Sequence, residues 1–307
     1  MLQKLAQPAE RHQTTTEASR RGGGTTSLDL VTKLYVKSPH IALYTPLCKV
    51  KERLSACRYR ISIDGKFTCA VIGLTDDSIE FTWRRPGKAE TLRNQIASAR
   101  HRIPDLNFAP MIETGRRSWS QMLKLPVMGR YFRSYLSNPV PRKLGLPSAY
   151  EVVQFNPEQD LEQAAFFVNN AYPSLPKLTT PERLREMMSL PGFFPEGWFF
   201  LKYTPTGEIA GFAICGLCRV LKEGFIDWIQ TSHTFRHRQL GQVMVYEAIR
   251  RLSPFSEFIT SSGSLDAPFA IGDLYKTCGF KQTRQWTLLG TGAEARWKSL
   301  PIPLIHR

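Results

Sequence analysis

The clearest pattern of apolar and polar positions lies between Phe225 and Leu252. Phe225, Asp227, Ile229 and Thr231 alternate with Ile226, Trp228 and Gln230, the period of two that predicts a strand. Leu240, Met244, Ala248 and Leu252 then recur every four residues, which predicts one face of a helix. The turn between them is Arg236-His237-Arg238-Gln239-Leu240-Gly241. A helix start presents backbone N–H groups without intrahelical acceptors, at the positive end of the helix dipole. With two arginines beside it, this one suits a phosphate or pyrophosphate.

Residues 1–28 are polar, lack periodic apolar positions and read as a flexible tail. An Asp64-Gly65 turn between Arg58–Ile63 and Lys66–Ile72 predicts a hairpin, Ser78–Trp83 a third strand, and Ala89–His101 a helix buried through Leu92, Ile96 and Ala99. Residues 102–148 show no regular period, and Pro139, Pro141 and Pro147 mark a linker near 148. Beyond it, strands are expected at Glu151–Phe155, Trp198–Tyr203, Glu208–Cys215, 257–262 and Gln285–Leu289. Helices are expected from Leu161 to Ala171, and from a Thr180 cap with Pro181 in the first turn through Met188. The predicted organisation is a tail (1–28), a small basic α+β domain (29–148), a larger α/β domain (149–290) and a C-terminal tail (291–307).

Composition adds a compartment and a partner to this picture. Of 307 residues, 42% are hydrophobic and 11% aromatic, as in a globular protein. No apolar run is long enough to span a bilayer, and the N-terminus lacks the apolar segment of a secretory signal. Six scattered cysteines fit a reducing, cytoplasmic setting. Cys215 and Cys218 form a C-x-x-C without a second pair, so no metal site is expected. The formal charge is +15, and residues 1–150 hold 25 Lys and Arg against 11 Asp and Glu, while residues 151–307 hold 16 against 15. That asymmetry predicts a polyanionic partner, RNA or DNA, for residues 29–148. The candidate contacts are Arg116, Arg117, Lys124, Arg130, Arg133, Arg142 and Lys143, interleaved with Trp119, Tyr131, Phe132 and Tyr135. Those aromatics have two readings from sequence, stacking platforms for bases or anchors in a core.

The turn before the 240–252 helix resembles motif A of the GNAT acyltransferase superfamily, whose pattern is Arg or Gln, two residues, Gly, one residue, then Gly or Ala. Arg236 and Gly241 match the ends, and Gln239 stands where the family has its first glycine. Leu274-Tyr275-Lys276-Thr277-Cys278-Gly279-Phe280 is similar to the family's motif B. The resemblance covers Tyr150 to Leu289 and implies a mixed, mostly antiparallel sheet with flanking helices. It further implies an acyl-CoA co-substrate, acetyl-CoA first among them, and direct attack of an amine on the thioester. On this resemblance the backbone from Arg238 through Gln239, Leu240, Gly241 and Gln242 holds the pyrophosphate, with Arg236 beside it. Gln230 and Thr231 flank the pantetheine, and Tyr275 protonates the leaving thiolate. Asp227, an ionisable group in an otherwise apolar strand, is the candidate general base, with His233 and Glu223 as alternatives, or else it pairs with Lys202 or another neighbour. The basic N-terminal domain would bring the enzyme to a nucleic-acid substrate. The alternative reading is a GNAT fold altered at Gln239, serving as a binding module or using another donor.

Overall fold

The computed structural model describes residues 16–17, 26–64, 67–112, 119–142, 145–170, 179–265 and 271–291. The Gly65 half of the expected hairpin turn lies outside them, as do Arg116, Arg117 and Lys143.

Two sheets organise the chain. In the first half, α1 (Ser27–Lys37), α2 (Pro39–Ala42) and α3 (Leu47–Ala56) precede β2 (Arg58–Asp64), β3 (Phe67–Leu74) and β4 (Ile79–Arg84). A short β1 (Thr16–Glu17), inside the stretch read as a tail, pairs with β2. The tail reading also ran slightly past the start of α1. Thr26 and Asp29 form a reciprocal capping box that opens this helix. Then come α4 (Ala89–Arg102), β5 (Phe108–Ile112), α5 (Trp119–Leu123) and β6 (Val127–Ser137). The second half runs β7 (Tyr150–Gln154), α6 (Leu161–Asn170), α7 (Pro181–Ser189), β8 (Phe193–Tyr203), β9 (Glu208–Cys218), β10 (Glu223–Thr231), α8 (Leu240–Leu252), β11 (Phe258–Ser264), α9 (Ile271–Thr277) and β12 (Lys281–Gly290). The Thr180 cap is realised, its hydroxyl accepting from the Arg183 N–H.

The strand order is β1-β2-β3-β4 in one sheet and β5-β12-β6-β11-β10-β9-β8-β7 in the other. The second sheet is antiparallel except where β10 and β11 run parallel. The chain therefore repeats one order of elements. β2-β3-β4-α4-β5-α5-β6 matches β8-β9-β10-α8-β11-α9-β12. In each copy the third strand meets the next one in parallel, over four residue pairs for β10 and β11 and at the single bridge Ser78↔Phe108 for β4 and β5. Each copy gives its last strand to the other. β6 pairs with β11, β12 pairs with β5, and the two exchanged strands pair with each other.

This exchange crosses the expected boundary near 148, since β6 lies before the linker and its hydrogen-bonding partners β11 and β12 lie after it. It also corrects the expectation that residues 102–148 are irregular. The period of β6 is hard to see because both its faces are covered and Arg133, in its middle, is fully buried.

Helices cover both faces of the large sheet. Leu240, Met244 and Leu252 of α8 and Tyr275 of α9 pack on Phe199, Ile226 and Ile229. Leu161 and Val168 of α6 and Leu184 of α7 pack on the opposite face, against Trp198, Phe212 and Trp228. Gly279, at φ 96°, closes α9 in the left-handed conformation that glycine tolerates, and Phe280 enters the core.

Candidate active site

The site begins where two strands part. The parallel pairing of β10 with β11 ends at Ile226↔Ser261, while β10 continues to Thr231. From Asp227 onward that edge of β10 has no strand partner among the described residues, which leaves a slot through the sheet. On its other edge β10 stays paired to β9, with a bulge between Ile226 and Trp228 centred on Asp227. A bulge inserts one residue and re-aims its side chain. Asp227 shares the face of Glu223 and Phe225 by ordinary alternation, at the mouth of the slot, and the bulge brings Trp228 round to that face as well.

The slot's far end is the turn before α8. Gln239 caps this helix at φ 61°, and His237 also lies at φ 61°. Both adopt the left-handed backbone that a glycine-rich loop would use, so the missing glycine is replaced in sequence and kept in conformation. The strain is about 1 kcal/mol per residue. The Gln242 and Val243 N–H groups reach back to the Gln239 carbonyl. Those of Leu240 and Gly241, in the first turn, have no intrahelical acceptor by the geometry of a helix start. Gly241 lets the start of α8 pack closely on α9, since a Cβ there would lie 3.3 Å from Leu274 Cδ2. Of the side chains predicted here, Leu240 is a core residue, and Gln242 donates to the Tyr246 hydroxyl at 3.4 Å. Arg238 lies over the Phe235 ring and donates to the Tyr150 hydroxyl at 3.2 Å, while Arg236 is half-buried. Gln230 is buried, accepting from Trp228 Nε1 and donating to the Val168 carbonyl, so its side chain braces the sheet. Thr231 ends the unpaired edge.

Asp227 pairs with Lys49 of α3, a partner that sequence reasoning missed. Both side chains are nearly enclosed, at 12% and 7% exposure, and the Lys49 ammonium also lies 4.5 Å from the centre of the Phe225 ring. Burial raises the Asp227 pKa above the ordinary carboxylate value, and the positive charges of Lys49 and Arg133 oppose that rise without cancelling it. Lys202, the pairing partner weighed from sequence, faces Glu151 instead. Around the pair is a half-open cleft of about 30 Å³, lined on the α7 side by Met187, Leu190 and Phe193, and on the strands by Trp198, Ile214 and Phe225. Gly192 also lines it, at φ +98°, where a Cβ would lie 2.9 Å from Phe225.

Tyr275 approaches from the opposite, α9 face. It is fully buried, and its hydroxyl pKa is raised, first by burial and then by Cys215 and Asp227, with Ser261 of β11 opposing. The phenol therefore keeps its proton throughout the neutral range, as a proton donor must. Tyr275 and Asp227 are thus close enough to influence each other electrostatically, Asp227 from the α7 face and Tyr275 from the α9 face.

The alternative bases fare differently. Glu223 is fully enclosed and accepts hydrogen bonds from the Tyr35 hydroxyl (2.7 and 2.8 Å), Arg133 (2.9 Å) and Thr260 (2.7 Å), a saturated structural cluster. His233 is exposed, just beyond the end of β10. Cys215 is buried in the sheet, and Cys218 makes a thiol contact with Cys48, beside Lys49. Among the described residues no three His, Cys, Asp or Glu side chains converge as a metal site, and no helix is long and apolar enough to cross a membrane.

The residues expected to meet nucleic acid are dispersed. Arg133 is a correction. It is wholly buried and committed to Glu223, because β6 lies inside the sheet. Trp119, Tyr131 and Phe132 are core anchors, the other of their two readings, and Trp119 donates to the Ile112 carbonyl at 2.8 Å. Lys124, Arg130 and Arg142 are on the surface. One sequence signal was available and unused. Arg84-Arg85-Pro86-Gly87-Lys88-Ala89 carries the whole Arg, two residues, Gly, one residue, Ala pattern, at the β4–α4 turn equivalent to the one before α8.

No family model matches the sequence, and no curated protein matches it. Among solved structures, the chain is similar to a tandem GNAT protein from the clavulanic acid biosynthesis pathway (TM-score 0.55, 12% identity, 86% of this chain and 94% of that one). It is also similar to a GCN5-related N-acetyltransferase from Sphaerobacter thermophilus (0.53, 14%, 76% and 80%). A GNAT-family acetyltransferase from Colwellia psychrerythraea matches at 0.51 and 12% identity, over 91% of this chain and 99% of that one. These likenesses span both halves, and with the strand order and the parted β10 and β11 they give the chain the GNAT acetyltransferase fold.

Proposed function

We propose that the protein is an acyl-CoA-dependent N-acyltransferase, with acetyl-CoA as the donor and a small amine as the acceptor. The observation that carries this reading is the parting of β10 and β11 at Asp227, with a carboxylate on one face of the slot and a buried phenol on the other. The donor's pyrophosphate would lie on the N–H groups before α8, and its pantetheine arm along the unpaired edge from Thr231 towards Asp227. The acceptor enters the cleft beneath α7. Asp227 takes one proton from the ammonium, the free amine attacks the thioester carbonyl carbon, the carbon–sulfur bond breaks as Tyr275 protonates the thiolate, and the nitrogen gives its second proton to the tyrosinate, leaving a neutral amide. The apolar walls around the Asp227–Lys49 pair support a small molecule over a base held on a polymer. The left-handed backbone at His237 and Gln239 speaks against a loop altered beyond phosphate binding. All six thiols are free, which supports a reducing compartment.

The test is acetyl transfer from acetyl-CoA to a panel of small amines and to RNA, followed by mass spectrometry of the products. Acetylated small amines support the reading. Acetylated RNA with no small-molecule product would replace the acceptor class, and no transfer to any acceptor would sink the activity.

A further inference from the structure

The charges of the cleft determine what kind of amine it takes, on the premise that the acyltransfer reading holds. Four charged groups matter, and they form two pairs. Arg133 is matched by Glu223, and Lys49 by Asp227. The other polar groups facing Asp227 are the Cys215 thiol and the Tyr275 hydroxyl, both neutral because burial raises their pKa values. When Asp227 accepts a proton from the acceptor's ammonium, its charge disappears. Lys49 would then stand nearly enclosed, over the Phe225 ring, with no counterion. An unpaired buried charge is among the costliest states a protein can enter. The substrate can prevent it by bringing an anion. We propose that the acceptor is an amine carrying its own carboxylate, of the amino-acid class, with the carboxylate held by Lys49 as the amine faces Asp227.

In this arrangement each charge has a partner at every stage. Before transfer the acceptor's ammonium faces Asp227 and its carboxylate faces Lys49. One ammonium proton moves to Asp227, the nitrogen–carbon bond forms, the carbon–sulfur bond breaks as the thiolate takes the Tyr275 proton, and the nitrogen's second proton restores the Tyr275 phenol. Lys49 keeps the carboxylate throughout. The specificity determinant therefore comes from α3, in the first half of the chain, and acts on a site built by the second half. Met187, Leu190, Phe193 and Trp198 form apolar walls beside the pair.

The experiment measures kcat/KM for CoA release by the full chain with acetyl-CoA. The acceptors are the standard amino acids, each set against the amine that lacks its carboxylate, such as glycine against methylamine and phenylalanine against phenethylamine. The carboxylated member of the best pair is expected to be favoured by about a hundredfold or more. Lys49→Met is expected to bring that ratio towards one, and Lys49→Arg to keep it. Equal kcat/KM within pairs in the wild-type protein overturns the inference without any variant, as does a preference that survives Lys49→Met. A parallel calorimetric titration with acetyl-CoA separates the two claims. Donor binding without a carboxylate preference, or without turnover of any amino acid, removes this inference alone. Absence of donor binding removes the acyltransfer reading and this inference with it.

Discussion

Arg133→Met would test how the two halves are joined. Arg133 lies on the exchanged strand β6 and binds Glu223 on β10 at 2.9 Å, with both side chains at 0% exposure. Tyr35 of α1 and Thr260 of β11 complete the cluster. Methionine fills comparable volume but leaves the Glu223 carboxylate buried without its cation, a loss of about 3–5 kcal/mol. For 307 residues, about 2.1 cal/mol/K of unfolding entropy per residue gives about 0.65 kcal/mol/K. The expected fall in Tm is then about 5–8 °C. The sign of the pH dependence follows from burial. Without Arg133, desolvation raises the Glu223 pKa further above its unfolded value. A carboxylate with a raised folded pKa contributes stability below its unfolded pKa and loses it as pH rises through the folded one. The deficit against wild type should therefore be larger at about pH 8 than at about pH 5. Urea unfolding at both values measures this, and Arg133→Met with Glu223→Gln should recover more than about 1 kcal/mol by removing the stranded charge. A single variant within about 1 kcal/mol of wild type, with no pH dependence, would refute the reasoning.

Three further outcomes are expected. Tyr275→Phe should lower kcat by about a hundredfold with little change in donor affinity, because it removes a proton donor and no binding surface; steady-state kinetics beside a binding titration would show equal loss of both if the role were wrong. Gln239→Gly should stabilise the chain by about 0.5–1 kcal/mol, since φ 61° suits glycine better than glutamine; destabilisation in urea would count against the loop conformation. The acidic limb of kcat/KM should lie above the ordinary carboxylate value and move to higher pH in Lys49→Met, because removing a cation disfavours the Asp227 carboxylate; a limb that stays put or moves down would exclude Asp227 as the base.

Local patterns made much of the second half legible. The period of α8, the Thr180-Pro181 start of α7 and the Gly279-Phe280 close of α9 are written in adjacent residues, and each has a local physical cause. The strand exchange is written nowhere locally. β6 carries a buried arginine in its centre, and its countercharge, Glu223, comes from the other half. Lys49 was equally hidden. It lies 178 positions from Asp227, in a helix whose own sequence gives no sign of a site. The basic excess of the first half suggested an external polyanion, yet two of its cations, Lys49 and Arg133, answer buried carboxylates of the second half. The halves thus complement each other in charge as well as in strands.

The most direct measurement is calorimetric titration of the wild-type protein and of Gly241→Asp with acetyl-CoA. The open turn before α8 and the slot beyond Asp227 lead us to expect micromolar binding by the wild-type chain. The aspartate, placed among the pyrophosphate-facing N–H groups, should weaken it by about tenfold to a hundredfold, or about 1.4–2.7 kcal/mol. No binding by the wild-type chain, or equal binding by both, would contradict the assignment of this slot as the donor site.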